Sequence, residues 1–143
     1  LLMFTFDTER IKGWVENRID DDIHGHFIRA IGQLDDAGNL VAGAVFSGFN
    51  GAQVFLSLAC DKPMARKFVA MMFDYPFNRA GVNRITAFIK STNVKSINLA
   101  LRLGFVLEST MEQATLDADM LVFRMFKNEC RFLSGKYQNA IGG

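Results

Sequence analysis

The order of elements along the chain predicts a mixed α/β fold, a twisted sheet of about six to seven strands flanked by helices. Three observations carry that expectation. Short apolar runs bounded by turn residues recur along most of the chain. Three helical stretches interrupt them, with plausible capping residues at their starts. Helices alternate with strands mainly in the centre, which implies parallel pairing there, while tight turns elsewhere imply antiparallel neighbours.

Taken in order, Phe4-Thr-Phe6 opens as a strand, and Asp7 or Thr8 caps a helix through Trp14 and Val15 to Ile19. Asp20-Asp-Asp22 is a loop. Phe27 to Leu34 and Leu40 to Phe46 form a hairpin around the turn chemistry of Asp36-Ala-Gly-Asn39. Asn50-Gly51 marks another turn before a strand from Ala52 to Cys60. Asp61 or Lys62, followed by Pro63, starts a helix from Met64 to Arg79 that Pro76 kinks or ends early. Arg84 to Lys90 is apolar on both faces, the mark of a central, covered strand. A helix over 93–103 follows, then a strand from Phe105 to Thr110, and a long strand from Ala118 to Leu133 whose far end loosens. Residues 1–133 read as one domain and 134–143 as a flexible C-terminal tail.

The chain has 143 residues, 50% of them hydrophobic, enough for a full core without disulfides or metal. A net charge of +1 points to neither nucleic acid nor an anionic membrane. No apolar run approaches a membrane span and none reads as a cleavable secretory signal. Cys60 and Cys130 form no close pair and no metal spacing, so a reduced, cytoplasmic setting is expected.

The stretch "STNVKSINLALRLGF" (91–105) is the most informative. Asn93 is a strong N-cap with Ser96 at the third helical position. Ile97, Ala100 and Leu101 form an apolar face, and Gly104 supplies the left-handed residue that stops the helix before Phe105. Capping alone explains all of this. The same stretch, N-x-x-S followed by L-G-F after a buried strand, also resembles a helix signature of the GNAT family of acetyl-CoA-dependent N-acyltransferases. "FDYPFNRAGVNRITAFI" (73–89) resembles the family's helix leading into its fifth strand, and "DADMLVFRMFKNECRFL" (117–133) its closing strand in a branch common among phages and prophages.

The resemblance implies an N-acetyltransferase that moves an acetyl group directly from acetyl-CoA to an amine-bearing acceptor, protein or small molecule. It implies that strands 52–60 and 84–90 run parallel and splay, and that the pantetheine arm pairs with their backbones. Asn93 would bond that arm, with Ser96 lining it. The pyrophosphate would sit on the N–H groups of Met64, Ala65, Arg66 and Lys67 at the start of a helix. Oligomeric state stays open, with a homodimer among its forms. The phosphate loop departs from the family's Q/R-x-x-G-x-G/A: "ACDKPMARK" (59–67) has Asp61 and Pro63 where glycines are usual. The Tyr that many members use to protonate the leaving thiolate is Ala100 here. Both departures favour a rival, a non-catalytic GNAT-like interaction module.

Glu108 is a candidate general base or a solvated sheet carboxylate; Asp117 and Asp119 sit where a turn wants Asp. Asp20-Asp-Asp22 with His24 and His26 lacks further converging ligands, so no metal site is expected. That loop is a solvated acidic turn or, in the resembled fold, a lure for a cationic acceptor.

Overall fold

The computed structural model describes residues 3–142. Leu1, Leu2 and Gly143, which the domain and tail limits above include, lie outside the described residues. The elements are β1 (Met3–Thr5), α1 (Thr8–Ile19), β2 (Arg29–Leu34), β3 (Leu40–Ser47), β4 (Gln53–Cys60), α2 (Arg66–Asp74), β5 (Arg84–Lys90), α3 (Val94–Leu103), β6 (Val106–Met111), β7 (Met120–Phe126) and α4 (Gly135–Gly142). One seven-stranded sheet runs in the order β1-β2-β3-β4-β5-β7-β6. Every neighbouring pair is antiparallel except β4 and β5, which a helical crossover makes parallel. The mixed α/β expectation and the seven strands therefore hold. No helix among the described residues is long and apolar enough to cross a membrane.

Strand alternation sorts the core into two layers. Ala42, Ala44 and Phe46 of β3, Val54 and Leu56 of β4, and Ile85 and Ala87 of β5 share a buried cluster with α2, α3 and the chain after β7. Val45 and Ala59 point the other way, into a smaller cluster with Ile11 and Val15 of α1. Gly32 and Gly43 pair across β2 and β3 beneath that helix. A Cβ on Gly43 would come within 2.9 Å of Val15 and 3.0 Å of Ile11, so the absent side chains let α1 lie directly on the sheet. α1 packs mainly on β2, β3 and β4. On the same side of the sheet Phe88 of β5, Phe126 of β7 and Val106 and Met111 of β6 are exposed.

Three expectations are corrected, and the break expected at Pro76 is found. The helix after β4 starts at Arg66 with Ala65 as its cap, because Asp61 is engaged elsewhere. Its α-helical part ends at Asp74, and Tyr75–Arg79 continue as a π-turn with the Ala80 N–H donating to the Tyr75 carbonyl, the way this chain absorbs Pro76. β7 stops at Phe126 because Glu129 turns back, accepting from the Phe126 N–H at 2.8 Å and from Arg124 at 2.6 Å. Residues 135–142, read as tail, form a helix that packs on α2, with Tyr137 edge-on to Phe132. The E-C-R-F-L run at 129–133 is thus a closure. Arg131 donates to the Arg102 and Leu103 carbonyls at the end of α3, and Phe132 stacks on Phe73 at 4.9 Å.

Candidate active site

β4 and β5 pair at only three positions, Gln53 with Arg84, Val54 with Ile85 and Phe55 with Thr86. Beyond Phe55 they part. β5 stays paired with β7 through Lys90, and β4 stays paired with β3 through Cys60. The gap between the strands therefore reflects no loss of order on either side. It leaves the facing edges of 56–60 and 87–90 without ladder partners, a feature antiparallel sheets seldom tolerate in a protein interior. A cleft of about 570 Å³, open mouth included, fills the wedge. Asn93, Ser96 and Ala100 line it from α3, and Ile19, Asp21, Phe88 and Lys90 line it from the side of α1. It continues past Asn93 and Ser96 into an outer groove of about 420 Å³ bordered by Arg18, Cys60, Asp61 and Lys95.

Asn93 stands at the mouth for a local reason. The Asn93 N–H donates to the Lys90 carbonyl at 2.9 Å, which turns the chain out of β5, and its Oδ1 accepts from the Ser96 N–H at 3.1 Å, which starts α3. The cap occupies the oxygen and leaves the Nδ2 hydrogens for something in the cleft. At the other end Gly104 (φ 102°) donates to the Ala100 and Leu101 carbonyls, and Phe105 is buried. Asn93 thus caps the helix and lines the wedge at once.

The loop without glycines is held by two neighbours. Arg18 of α1 clamps Asp61 through three contacts of 2.9–3.2 Å, and that hydrogen-bonded guanidinium holds the Asp61 carboxyl below the usual carboxylate range. Gln33, a buried β2 residue, donates to the Pro63 carbonyl at 3.4 Å and accepts from the Ala65 N–H at 2.8 Å. Of the four residues expected to hold a pyrophosphate, Ala65 has thereby committed its N–H. Met64 packs against the core. Arg66 and Lys67 open α2, where first-turn N–H groups have no carbonyl to receive them. None of the four lines the wedge. The Lys67 ammonium lies 5.8 Å from the Phe4 ring and borders a separate groove, of about 920 Å³, with Met71 and Tyr75.

Glu108 stands outside the wedge. It occupies an irregular position in β6, gripped in a bidentate pair by Arg84 at 2.6 and 3.1 Å, and that hydrogen bonding lowers its pKa. A carboxylate so held is a weak base. Asp119 accepts from the Gln113 N–H at 2.9 Å and Asp117 from the Thr115 hydroxyl at 3.4 Å, both as turn residues. Burial raises the Cys60 thiol pKa, with Lys95 and Arg102 acting in the opposite sense.

Sequence reasoning missed two contributors, Lys95 and the exposure of Phe88, and named a third, Asp21, only as part of the acidic loop. Lys95 shares the outer groove with Asn93, two residues away, and was read only as part of a polar helix face. Asp21 reaches the rim of the wedge from the acidic loop, and Lys90 secures that loop through the Asp20 carbonyl at 2.8 Å. The apolar pattern of β5 predicts a strand covered on both faces, yet Phe88 is 47% exposed. Apolar character on both faces of β5 signals a covered strand only if something covers it.

A seven-stranded mixed sheet, parted between its one parallel pair and flanked by four helices, is the GNAT acyltransferase fold. Among solved structures the chain is similar to a mutant form of the spermidine N-acetyltransferase SpeG from Vibrio cholerae, with a TM-score of 0.70 and 17% identity over 96% of each chain. The same enzyme in complex with CoA and spermine matches with a TM-score of 0.69 and 14% identity, covering 90% of this chain and 96% of that one. Its dodecameric form in an intermediate state matches with a TM-score of 0.68 and 15% identity, covering 89% and 94%. At such identities the likeness is one of fold. No protein-family model matches the chain, and no curated protein matches it either.

Proposed function

We propose that the protein is an N-acetyltransferase that transfers an acetyl group directly from acetyl-CoA to an amine. The observation that carries this reading is the parting of β4 and β5 after Phe55, with Asn93 at the mouth of the resulting cleft. An extended thioester arm needs backbone donors and acceptors on both sides, and the unpaired edges supply them. Asn93 Nδ2 and Ser96 would contact that arm, and Lys95 with the first N–H groups of α2 at Arg66 and Lys67 would meet its phosphates. Phosphate oxygens are acceptors, so the clamping of Asp61 by Arg18 matters: it removes a competing anion from the loop.

The neutral amine attacks the thioester carbonyl; a C–N bond forms, the C–S bond breaks, the amine proton passes to solvent and the leaving thiolate takes a proton from water. Ala100 stands where a tyrosine would serve as acid, and the two tyrosines lie elsewhere, Tyr75 on the separate groove and Tyr137 on Phe132. Glu108 enters this reading only as the partner of Arg84. An α-amine or another amine of low pKa needs least help from a base.

Two free thiols support a cytoplasmic setting. The exposed edge strand β6 supports self-association, a homodimer being the simplest form. The E-C-R-F-L closure supports a place in the phage-like branch. The second reading, a non-catalytic module of the same fold, draws on the glycine-free loop and on Ala100.

Calorimetric titration with acetyl-CoA tests the proposal. Saturable binding is expected, and Asn93→Ala should weaken it by about 1–2 kcal/mol, the scale of one hydrogen bond in a desolvated site. Asn93→Asp keeps the helix cap but removes the Nδ2 donor, so it should lose affinity without losing stability. No heat at millimolar ligand rejects cofactor binding; binding without turnover across amines selects the second reading.

A further inference from the structure

Resting on that reading, we infer that the acceptor is a primary amine carried on an aromatic body, seated against Phe55 and Phe88. The two rings stack at 5.2 Å with an interplanar angle of 30°. They project from β4 and β5 at the apex of the wedge: Phe55 is in the last paired position, and Phe88 lies just past it and lines the cleft. The pair therefore sits on the side of the sheet opposite Asn93, at the point where the cleft narrows. That side is where an acceptor would approach, because the other is walled by α3.

The chemistry of this face selects the body of the acceptor. α1 packs mainly on β2, β3 and β4, and the exposed residues beyond it include Phe88, Val106, Met111 and Phe126. Two cations of this face are paired, Arg84 with Glu108 and Arg124 with Glu129. A flat apolar group gains by covering a half-exposed ring pair, through area removed from water and through ring stacking. Among the described residues Asp21 is the one carboxylate lining the cleft, and Lys90 lines it too. That arrangement can receive a single ammonium but sets a cation against any second one. Asp21 also borders a neighbouring acidic surface with Glu16, Asp20 and Asp22, whose carboxylates do not line the cleft.

The test compares kcat/KM for 2-phenylethylamine, ethylamine and spermidine with acetyl-CoA, in the intact chain and in Phe88→Ala and Phe88→Leu. The expected result is a preference for 2-phenylethylamine over ethylamine of about tenfold or more, the scale of one aromatic pair plus buried area. Phe88→Ala should collapse that ratio through KM, and Phe88→Leu should restore it only in part. Because Phe88 is half-exposed, both variants should melt near the parent. Equal use of the three amines, a preference for spermidine, or a ratio that survives Phe88→Ala overturns the inference and leaves the acetyltransferase reading standing. Absence of acetyl-CoA binding and of turnover with every amine overturns both.

Discussion

Cys60 and Cys130 are both free thiols, but their surroundings differ. Burial pushes Cys130 up to about 11 and raises Cys60 as well. Both are held as thiols near neutrality, so neither is an activated nucleophile, in keeping with direct transfer. Cys60 borders the outer groove beside Lys95, whereas Cys130 packs against the main core cluster near the closure of the chain. Alkylation by iodoacetamide at pH 8 should therefore be slow at both, and acetyl-CoA should suppress only the Cys60 reaction. Mass spectrometry of the modified sites reads this directly, and unchanged alkylation of Cys60 with saturating cofactor would remove the outer groove from the binding site. Asn93 was legible from sequence because the cap that starts α3 also lies on the cleft. Phe88 was not, because hydrophobic pattern reports what a strand could bury rather than what lies over it.

At the scale of elements, the fit of α1 to the sheet depends on the paired Gly32 and Gly43. Neither lies at positive φ, so their role is space rather than backbone freedom. Gly43→Ala places a methyl within 3 Å of Ile11 and Val15, both wholly buried, and should destabilise the fold by about 1–3 kcal/mol as overpacking does. Urea denaturation measures it; a neutral result would mean that α1 can lift without cost. Because α1 also supplies Arg18, the same variant should loosen the clamp on Asp61. Strand order and hairpins were legible because turn chemistry and apolar runs are local. The start of α2 was not. Asp61 and Pro63 form a plausible cap by local rules, and long-range partners at Arg18 and Gln33 override them. The end of the chain failed for a related reason. A polar, Gly-bearing segment reads as loose, yet Tyr137 anchors it against an aromatic stack that distant residues assemble.

For the whole molecule, five carboxylates sit below their ordinary values of 3.8 for Asp and 4.5 for Glu. The Ile23 N–H does this for Glu16, the Asn39 N–H for Asp35, Arg18 for Asp61, Arg84 for Glu108 and the Phe126 N–H for Glu129. A depressed folded pKa lends stability that is complete above the unfolded value and lost as pH falls through the folded one. The melting temperature should thus be flat from about pH 7 to about pH 5 and decline below about 4.5, with high salt shrinking the effect of the ion-paired members. A melting temperature that rises on acidification would contradict the pairing described here. The split between β4 and β5 has one more consequence. Each strand is zipped to its outer neighbour along nearly its full length, so neither can swing inward without tearing a ladder. The aperture is consequently a permanent part of the architecture: a guest threads a doorway already ajar, and its capture should proceed in one kinetic phase, without a preceding rearrangement of the host.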